Sequence, residues 1–231
     1  MNKILTVFLM IFLTATCSGL SNKAFSRETP AVSEANAYCV KGDKILNFYE
    51  GLKDTDKRKA NQDRYLNAAK YFYYQANRLD MSNQNAFIGR ARIALIQGRT
   101  RDAKNNLMIA LNVNELNPKV NYYLGETFFE EGEYTQAIDF YYFAYSHGYK
   151  YDYKTNMKLG ICYEKLDDIK KARYHYTNAA KINPGDVTAK ARLGGLDAIN
   201  TNYETYNVFQ DDSLDSEEDI SPEDLKNLHA Q

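Results

Sequence analysis

The sequence has 231 residues, of which 44% are hydrophobic and 26% charged, so the chain has enough apolar residues for an ordered core. Its formal net charge of −1 is unevenly distributed, because residues 211–231 carry a net charge of −7 and the remainder carries +6. No arginine-rich stripe or basic aromatic platform accompanies this modest positive charge, which argues against a nucleic-acid partner.

The first residues have a pattern typical of an export signal. Lys3 precedes the apolar run Ile4 to Ala15, which is shorter than the roughly 20 residues that a membrane-spanning helix needs. The pattern predicts a signal peptide over residues 1–19 and a protein that is exported to the periplasm. An uncleaved membrane anchor is the alternative interpretation.

Cys17 follows this apolar run, at the place where bacterial lipoproteins carry their lipid-acceptor cysteine. The resemblance is incomplete, because Thr14 and Thr16 stand where those proteins usually have leucine and a small residue. If Cys17 is acylated, the chain is anchored on the periplasmic side of a membrane, for example as an outer-membrane lipoprotein. Export also permits a disulfide between Cys39 and Cys162, whereas the helical surroundings of Cys162 favour a buried thiol.

Pairs of alanines recur along the chain at a nearly constant interval. The members of each pair are seven residues apart, on one face of a helix, and successive pairs begin 34, 34 and 35 residues apart. A large apolar residue stands four positions after the first alanine of each pair, so each such helix can pack against neighbours on both sides. The pairs are Ala69 and Ala76, Ala103 and Ala110, Ala137 and Ala144, and Ala172 and Ala179.

A second helix is predicted upstream of each of the last two alanine helices, because Leu124-Gly125 and Leu159-Gly160 recur there. Glycine inside a helix costs about 1 kcal/mol relative to alanine, so its recurrence indicates a close helix crossing. The residues predicted to form the turns and joints between helices are Gly98, Gly132, Asp167, Asp168, Pro118 and Pro184.

This order of residues resembles the tetratricopeptide repeat family, whose pattern is Leu-Gly-x-x-Tyr, then Ala-x-x-x-Phe, then Ala and Pro. The fullest match is formed by Leu159, Gly160, Tyr163, Ala172, Tyr176, Ala179 and Pro184. The unit beginning at Gln84 departs from the pattern, with Arg90 and Ala91 in place of Leu-Gly. The resemblance implies an all-α fold, a right-handed superhelical solenoid of antiparallel helix pairs, with about three to four units and a C-terminal capping helix.

The same resemblance organises the chain into segments. After the signal peptide we expect a flexible segment over residues 20–40 and an irregular helical unit over 41–83, in which residues 43–52 form one helix. The expected segments that follow are repeat units at 84–117, 118–152 and 153–186, a capping helix at 187–203, and an acidic disordered tail at 204–231 with a short helix at 221–229.

Resemblance to the family also implies a protein-binding groove, because the first helix of each unit lines the inner wall of such a solenoid. The implied protein-binding residues mix apolar side chains with single charges, which suits an extended or helical peptide. They are Asn85, Ile88, Arg92, Leu95, Tyr122, Glu126, Phe129, Met157, Ile161 and Glu164. The alternative is that these positions are ordinary surface or pack against the tail.

Residues that could support catalysis are not arranged for it. The three histidines lack metal-ligand spacing, so no metal is expected, and His175 is predicted to lie on a helix surface. No phosphate-binding loop or nucleophile motif occurs, so neither cofactor nor enzymatic activity is expected. Two aromatic clusters, residues 71–74 and 140–145, are interpreted either as packing between repeats or as a sticky surface for a partner.

The sequence therefore predicts a non-catalytic interaction scaffold of the bacterial cell envelope, which binds a protein or peptide during assembly of an envelope or secretion complex. The alternative is an accessory or regulatory domain of an envelope enzyme, for example one that acts on peptidoglycan. No feature of the sequence identifies the partner or the oligomeric state.

Overall fold

The computed structural model describes residues 29–199, with side chains described through residue 196. Every regular element in this range is helical, which confirms the predicted all-α class, and none of these helices has the length and apolar content needed to cross a membrane. The predicted signal peptide, Cys17 and the acidic tail lie outside the described residues. The chain divides into two compact units, one ending at Glu130 and the other beginning at Glu131.

The N-terminal unit is built from antiparallel helix pairs. Helix α1 packs on α3, α3 packs on α4, and α4 packs on α5. The helices are α1 (Pro30–Glu50), α2 (Thr55–Ala60), α3 (Gln62–Leu79), α4 (Gln84–Ile96), α5 (Thr100–Val113) and α6 (Pro118–Glu131), of which α6 reaches the boundary of the unit.

The C-terminal unit repeats this arrangement. Helix α7 packs on α8, α8 on α9, and α9 on the final helix α10. The elements are α7 (Tyr134–Ala144), an irregular turn (Tyr145–Tyr149), α8 (Tyr153–Lys165), α9 (Ile169–Ile182) and α10 (Val187–Ile199). The predicted capping helix thus begins where expected, and residues 200–203 of it lie outside the described residues.

Helix α1 is a correction to the sequence-based prediction, which placed a flexible segment over residues 20–40 and began a helix at Asp43. The helix starts at Pro30, because the Thr29 side chain accepts a hydrogen bond from the backbone N–H of Val32 and proline suits the first helical position. A continuous stripe of buried residues then follows along one face, at positions 35, 39, 42, 46 and 49. Burial of this stripe against α3 makes the segment helical.

Helix starts and turns follow local side-chain chemistry. Asn83 caps α4 by accepting from the N–H of Ala86 at 3.1 Å, and Asp152 caps α8 by accepting from the N–H of Thr155 at 2.7 Å. The turns inside helix pairs need a left-handed residue, supplied by Gly98 with φ of 70° and by Asp167 with φ of 60°. Gly98 and Asp167, two of the predicted turn residues, therefore lie in turns between paired helices.

Tyr73 fills the centre of the N-terminal unit. Its ring is fully buried on α3 and lies between Gly42 of α1 and Gly89 of α4, and its hydroxyl donates to Oδ1 of Asp43 at 2.7 Å. A Cβ placed on Gly89 would come within 2.1 Å of the ring. Glycine at these two positions therefore lets both helices approach Tyr73 closely, although the sequence pattern had placed no such crossing in this unit.

Candidate functional site

A cavity of about 240 Å³ in the N-terminal unit brings together part of the predicted site, and we name it the Arg92 cavity. Of the ten predicted protein-binding residues, Arg92, Leu95 and Glu126 line it. The complete lining is Glu50, Arg92, Leu95, Ile96, Tyr123, Glu126 and Glu130, from helices α1, α4 and α6. Asn85 is exposed and Tyr122 and Phe129 are half-buried elsewhere in the same unit, outside the lining of this cavity.

Two predicted groove residues are core residues. The side chain of Ile88 on α4 is 1% exposed and that of Met157 on α8 is 8% exposed. The face that the family resemblance assigned to a partner is therefore already covered at these positions, and neither side chain presents an accessible anchor. This corrects the expectation that both line an open groove.

Arg92 is also mostly buried, with 6% of its side chain exposed, and it is held by partners from α1. Its Nη1 donates to Oδ1 of Asp43 at 3.1 Å, and its Nη2 donates to Oδ1 of Asn47 at 2.8 Å and to Glu50 at 3.0 Å. Its guanidinium carbon lies 5.8 Å from the ring centroid of Tyr123. Arg92 thus joins α1 to α4 and α6, so its first role is structural.

One donor of Arg92 is left over. Its Nε is buried and finds no hydrogen-bond acceptor among the described residues. A buried donor without a partner is costly, because it has lost its contact with water and gained none in return. Arg92, a residue that lines the cavity, therefore has one N–H group whose hydrogen bond no described residue fills.

The rest of the cavity is acidic. Glu50, Glu126 and Glu130 surround it, and Arg92 is the single cation in its lining. The pKa of Tyr123 is raised mainly by burial and further by Glu50 and Glu126, against an opposing effect of Arg92. The electrostatic field inside the cavity therefore favours a cationic group, while Leu95 and Ile96 supply apolar wall.

In the C-terminal unit, the predicted residue Glu164 belongs to a network of its own. It accepts a hydrogen bond from the hydroxyl of buried Tyr176 and lies 3.1 Å from Nη1 of Arg192 on α10. Ile161 is half-buried on α8, the helix that also carries Glu164. The same combination of tyrosine hydroxyl, carboxylate and arginine occurs in the N-terminal unit as Tyr73, Asp43 and Arg92, so each unit carries a polar link between its helices.

His175 is a further correction, because it was predicted to lie on a helix surface and is 1% exposed. Its ring stacks on Tyr163, with an interplanar angle of 5°, and meets the edges of Tyr145 and Tyr174. Its Nδ1 lies 3.3 Å from Oδ1 of Asn156. The partners explain its burial, since a histidine with a hydrogen bond and aromatic neighbours can enter a core.

The two aromatic clusters have different environments. Tyr71 and Tyr74 are 57% and 44% exposed, whereas Tyr141, Tyr142 and Phe143 of the second cluster are buried. The second cluster, apart from half-buried Phe140, is therefore packing inside the C-terminal unit, whereas the first presents two exposed rings to solvent.

Both described cysteines are buried, and they are not joined to each other by a disulfide. Cys39 donates to Oδ1 of Asn83 at 3.2 Å. Burial, with a further contribution from the carboxylate of Asp43, raises the pKa of the Cys39 thiol to about 12, against the opposing charge of Lys119. The thiol is therefore protonated at neutral pH and is a poor nucleophile.

Comparison with known proteins agrees with this architecture. No protein-family model matches the chain. A curated relative, the CTR9 homologue of Arabidopsis thaliana, is 24% identical over 158 residues, and the match covers 66% of this chain but 14% of that much longer protein.

Solved structures share the fold at low sequence identity. The pilF protein of Pseudomonas aeruginosa superposes with a TM-score of 0.60 at 17% identity, covering 71% of this chain and 68% of that one. YrrB, a tetratricopeptide protein with an unusual peptide-binding site, gives 0.51 at 22% identity, covering 80% and 89%. MamA gives 0.52 at 22% identity, covering 63% and 83%.

The helix pairs, the left-handed turns and the buried alanine faces define a helical repeat protein. Together with these structural neighbours they show the tetratricopeptide repeat fold, as the sequence predicted.

Proposed function

We propose that this chain is a non-catalytic protein-interaction scaffold of the bacterial cell envelope, and that the Arg92 cavity binds a peptide segment of its partner. The partner segment carries a basic side chain beside an apolar one. The observation that carries the proposal is the cavity itself, which combines an excess of carboxylates, apolar walls and one buried N–H group without an acceptor among the described residues.

A peptide satisfies each of these features at once. A lysine or arginine side chain is attracted by Glu126 and Glu130, an apolar neighbour covers Leu95, and a peptide carbonyl accepts from Nε of Arg92. The structural similarity to YrrB, which has a peptide-binding site, supports the choice of a peptide over a small metabolite. The biological setting that we propose is assembly of an envelope or secretion complex.

Photo-crosslinking tests the site directly. With a benzophenone amino acid in place of Leu95, we expect a covalent adduct with a partner protein in cells, because that side chain lines the cavity. The adduct should weaken when Glu130→Lys is added, since reversal of one charge beside a basic ligand lowers affinity by about five- to tenfold.

The matched control places the same photoreactive residue at Val113, which is 46% exposed on α5 and does not line the cavity. Equal yields of the same adduct from both positions, or no adduct from Leu95, would contradict the assignment. Identification of the captured protein as an envelope enzyme, for example one that acts on peptidoglycan, would instead support the role of accessory domain.

Export is a separate part of the proposal, and a reporter fusion tests it. Fusion of residues 1–40 to a phosphatase that is active only outside the cytoplasm should give activity, whereas fusion of residues 20–40 should give none. No activity from either fusion, or equal activity from both, would remove the export claim. Acyl labelling that disappears in Cys17→Ser would place the exported chain on a membrane, and unlabelled protein would leave it soluble in the periplasm.

A further inference from the structure

A second concave site in the N-terminal unit lies between α3 and α5, apart from the Arg92 cavity. Its volume is about 350 Å³, which is within the range of about 300 to 1,000 Å³ that ligand pockets occupy. Helices α3, α4 and α5 all contribute to it. We name it the α3–α5 groove, and the lining residues that matter are Lys70, Tyr74, Arg90, Arg99, Asp102 and Ile109.

The charge of this groove is opposite to that of the Arg92 cavity. Three cations line it against one carboxylate, and that carboxylate, Asp102, is already paired with Arg99 at 3.0 Å. Within the part of the chain that the structure describes, no carboxylate lies within 4.0 Å of Lys70 or Arg90. Among the described residues, these two neighbouring positive charges therefore have no carboxylate partner.

The two cations are held in place by an aromatic ring. The guanidinium of Arg90 lies 4.9 Å from the ring centroid of Tyr74 and donates to Oδ1 of Asn77, while the ammonium of Lys70 lies 5.8 Å from the same ring. Both cations therefore lie beside one aromatic ring, where cation–π attraction favours their present positions.

The wall of the groove also contains a polar atom without a partner. The side-chain amide of Asn106 donates to the carbonyl of Asp102 at 2.7 Å, but its Oδ1 is buried and finds no donor among the described residues. A bound backbone N–H would satisfy this oxygen. The exposed faces of Tyr74 and Ile109 add apolar surface beside it.

We propose that the α3–α5 groove binds an acidic peptide segment, in which a carboxylate reaches Lys70 and Arg90, a backbone N–H donates to Asn106, and an apolar residue covers Tyr74 and Ile109. This site is independent of the peptide site at the Arg92 cavity. The scaffold then has two binding surfaces of opposite charge preference on one unit, and it can hold two different partner segments at once.

Selection of peptides by the full chain tests this proposal. From a library of short random peptides displayed on phage, the wild-type protein should enrich sequences with Asp or Glu next to an apolar residue. The double variant Lys70→Glu with Arg90→Glu should lose this enrichment and bind a synthesised acidic peptide from the selection at least about tenfold more weakly, because attraction becomes repulsion. Binding to wild type should also weaken as salt is raised.

A charge-matched control is available. Lys53→Glu with Lys59→Glu makes the same change in net charge at exposed positions outside the groove, and it should keep the acidic enrichment. Glu130→Lys should also keep it, because that residue lines the other cavity. The single variant Lys70→Glu, at an exposed position, gives a smaller loss in the same direction should the double variant be poorly folded.

Several outcomes would overturn the proposal. Enrichment of neutral or basic peptides excludes an acidic peptide in this groove. Enrichment of acidic peptides that is unchanged in the double variant excludes it as well. Binding of phosphatidylserine vesicles that is lost in the double variant, without any peptide enrichment, identifies an anionic membrane surface instead. Enrichment that appears only after residues 204–231 are removed identifies the acidic tail of this chain as the occupant.

Discussion

Gly89→Ala should destabilise the N-terminal unit, although alanine is the better helix former by about 1 kcal/mol. The new Cβ would lie 2.1 Å from Cζ and 2.2 Å from Cε1 of Tyr73, far inside contact distance. The ring cannot move away, because a second helix approaches it at Gly42 and its hydroxyl is bonded to Asp43. We expect a loss of about 1 to 3 kcal/mol in the free energy of unfolding, measured by urea denaturation.

The control for this prediction is the same substitution at a helical glycine that has no close neighbours among the described residues. Gly194 lies in α10, and a Cβ added there would meet no described atom within 4 Å, so Gly194→Ala should raise stability by about 0.5 to 1 kcal/mol through helix propensity alone. The two substitutions therefore differ in sign. A stabilising effect at Gly89, or equal effects at both sites, would show that Tyr73 is not clamped between the two helices.

The repeat architecture could be predicted from the sequence because its signal is local and periodic. Ala69, Ala103 and Ala137 begin successive alanine pairs, and all three are fully buried. A spacing of 34 or 35 residues between such positions reflects one helix pair per unit, so the period alone specifies the fold. The left-handed turns at Gly98 and Asp167 were predictable for the same reason.

The first part of α1, residues 30–42, was missed because the first unit breaks this period. The short helix α2 and its flanking turns separate α1 from α3, so Gly42 and Tyr73 stand 31 positions apart, whereas the corresponding pair Gly160 and Tyr176 stand 16 apart. The buried stripe of α1 was present in the sequence at alternating intervals of four and three residues. The highly charged residues 54–64, which follow α1, hid the pairing of α1 with α3 from a search for repeats.

The site was predicted only in part, because its chemistry depends on pairs that are distant in sequence. Arg92 lines the Arg92 cavity, but its partners Asp43 and Glu50 come from α1, more than forty positions upstream. No periodicity reveals that pairing. For the same reason the sequence-based prediction omitted Tyr123 and Glu50 from the site. It also placed His175 on a helix surface, because the aromatic rings that cover it include Tyr145 and Tyr163 from other elements of the fold.

Arg92→Met should be among the most destabilising single changes outside the apolar core. The substitution removes the cation that Asp43 and Glu50 share, so that Asp43 keeps only Lys119 at 3.8 Å among the described cations, and it removes the link from α1 to α4. Breaking a wholly buried ion pair costs about 3 to 5 kcal/mol, but Asp43 and Glu50 are 30% and 38% exposed and can be rehydrated. We therefore expect a loss of about 2 to 3 kcal/mol in the free energy of unfolding.

Arg99→Met provides the matched comparison, because Arg99 pairs with Asp102 at 3.0 Å, the same distance as Arg92 to Glu50, with both side chains about half exposed. That pair should contribute less than about 1 kcal/mol. In a double-mutant cycle, Arg92→Met and Asp43→Asn should show a coupling of about 1 to 2 kcal/mol, since the two side chains share one network with Tyr73. If Arg92→Met costs no more than Arg99→Met, or if the cycle shows no coupling, the network around Arg92 does not hold α1 against α4.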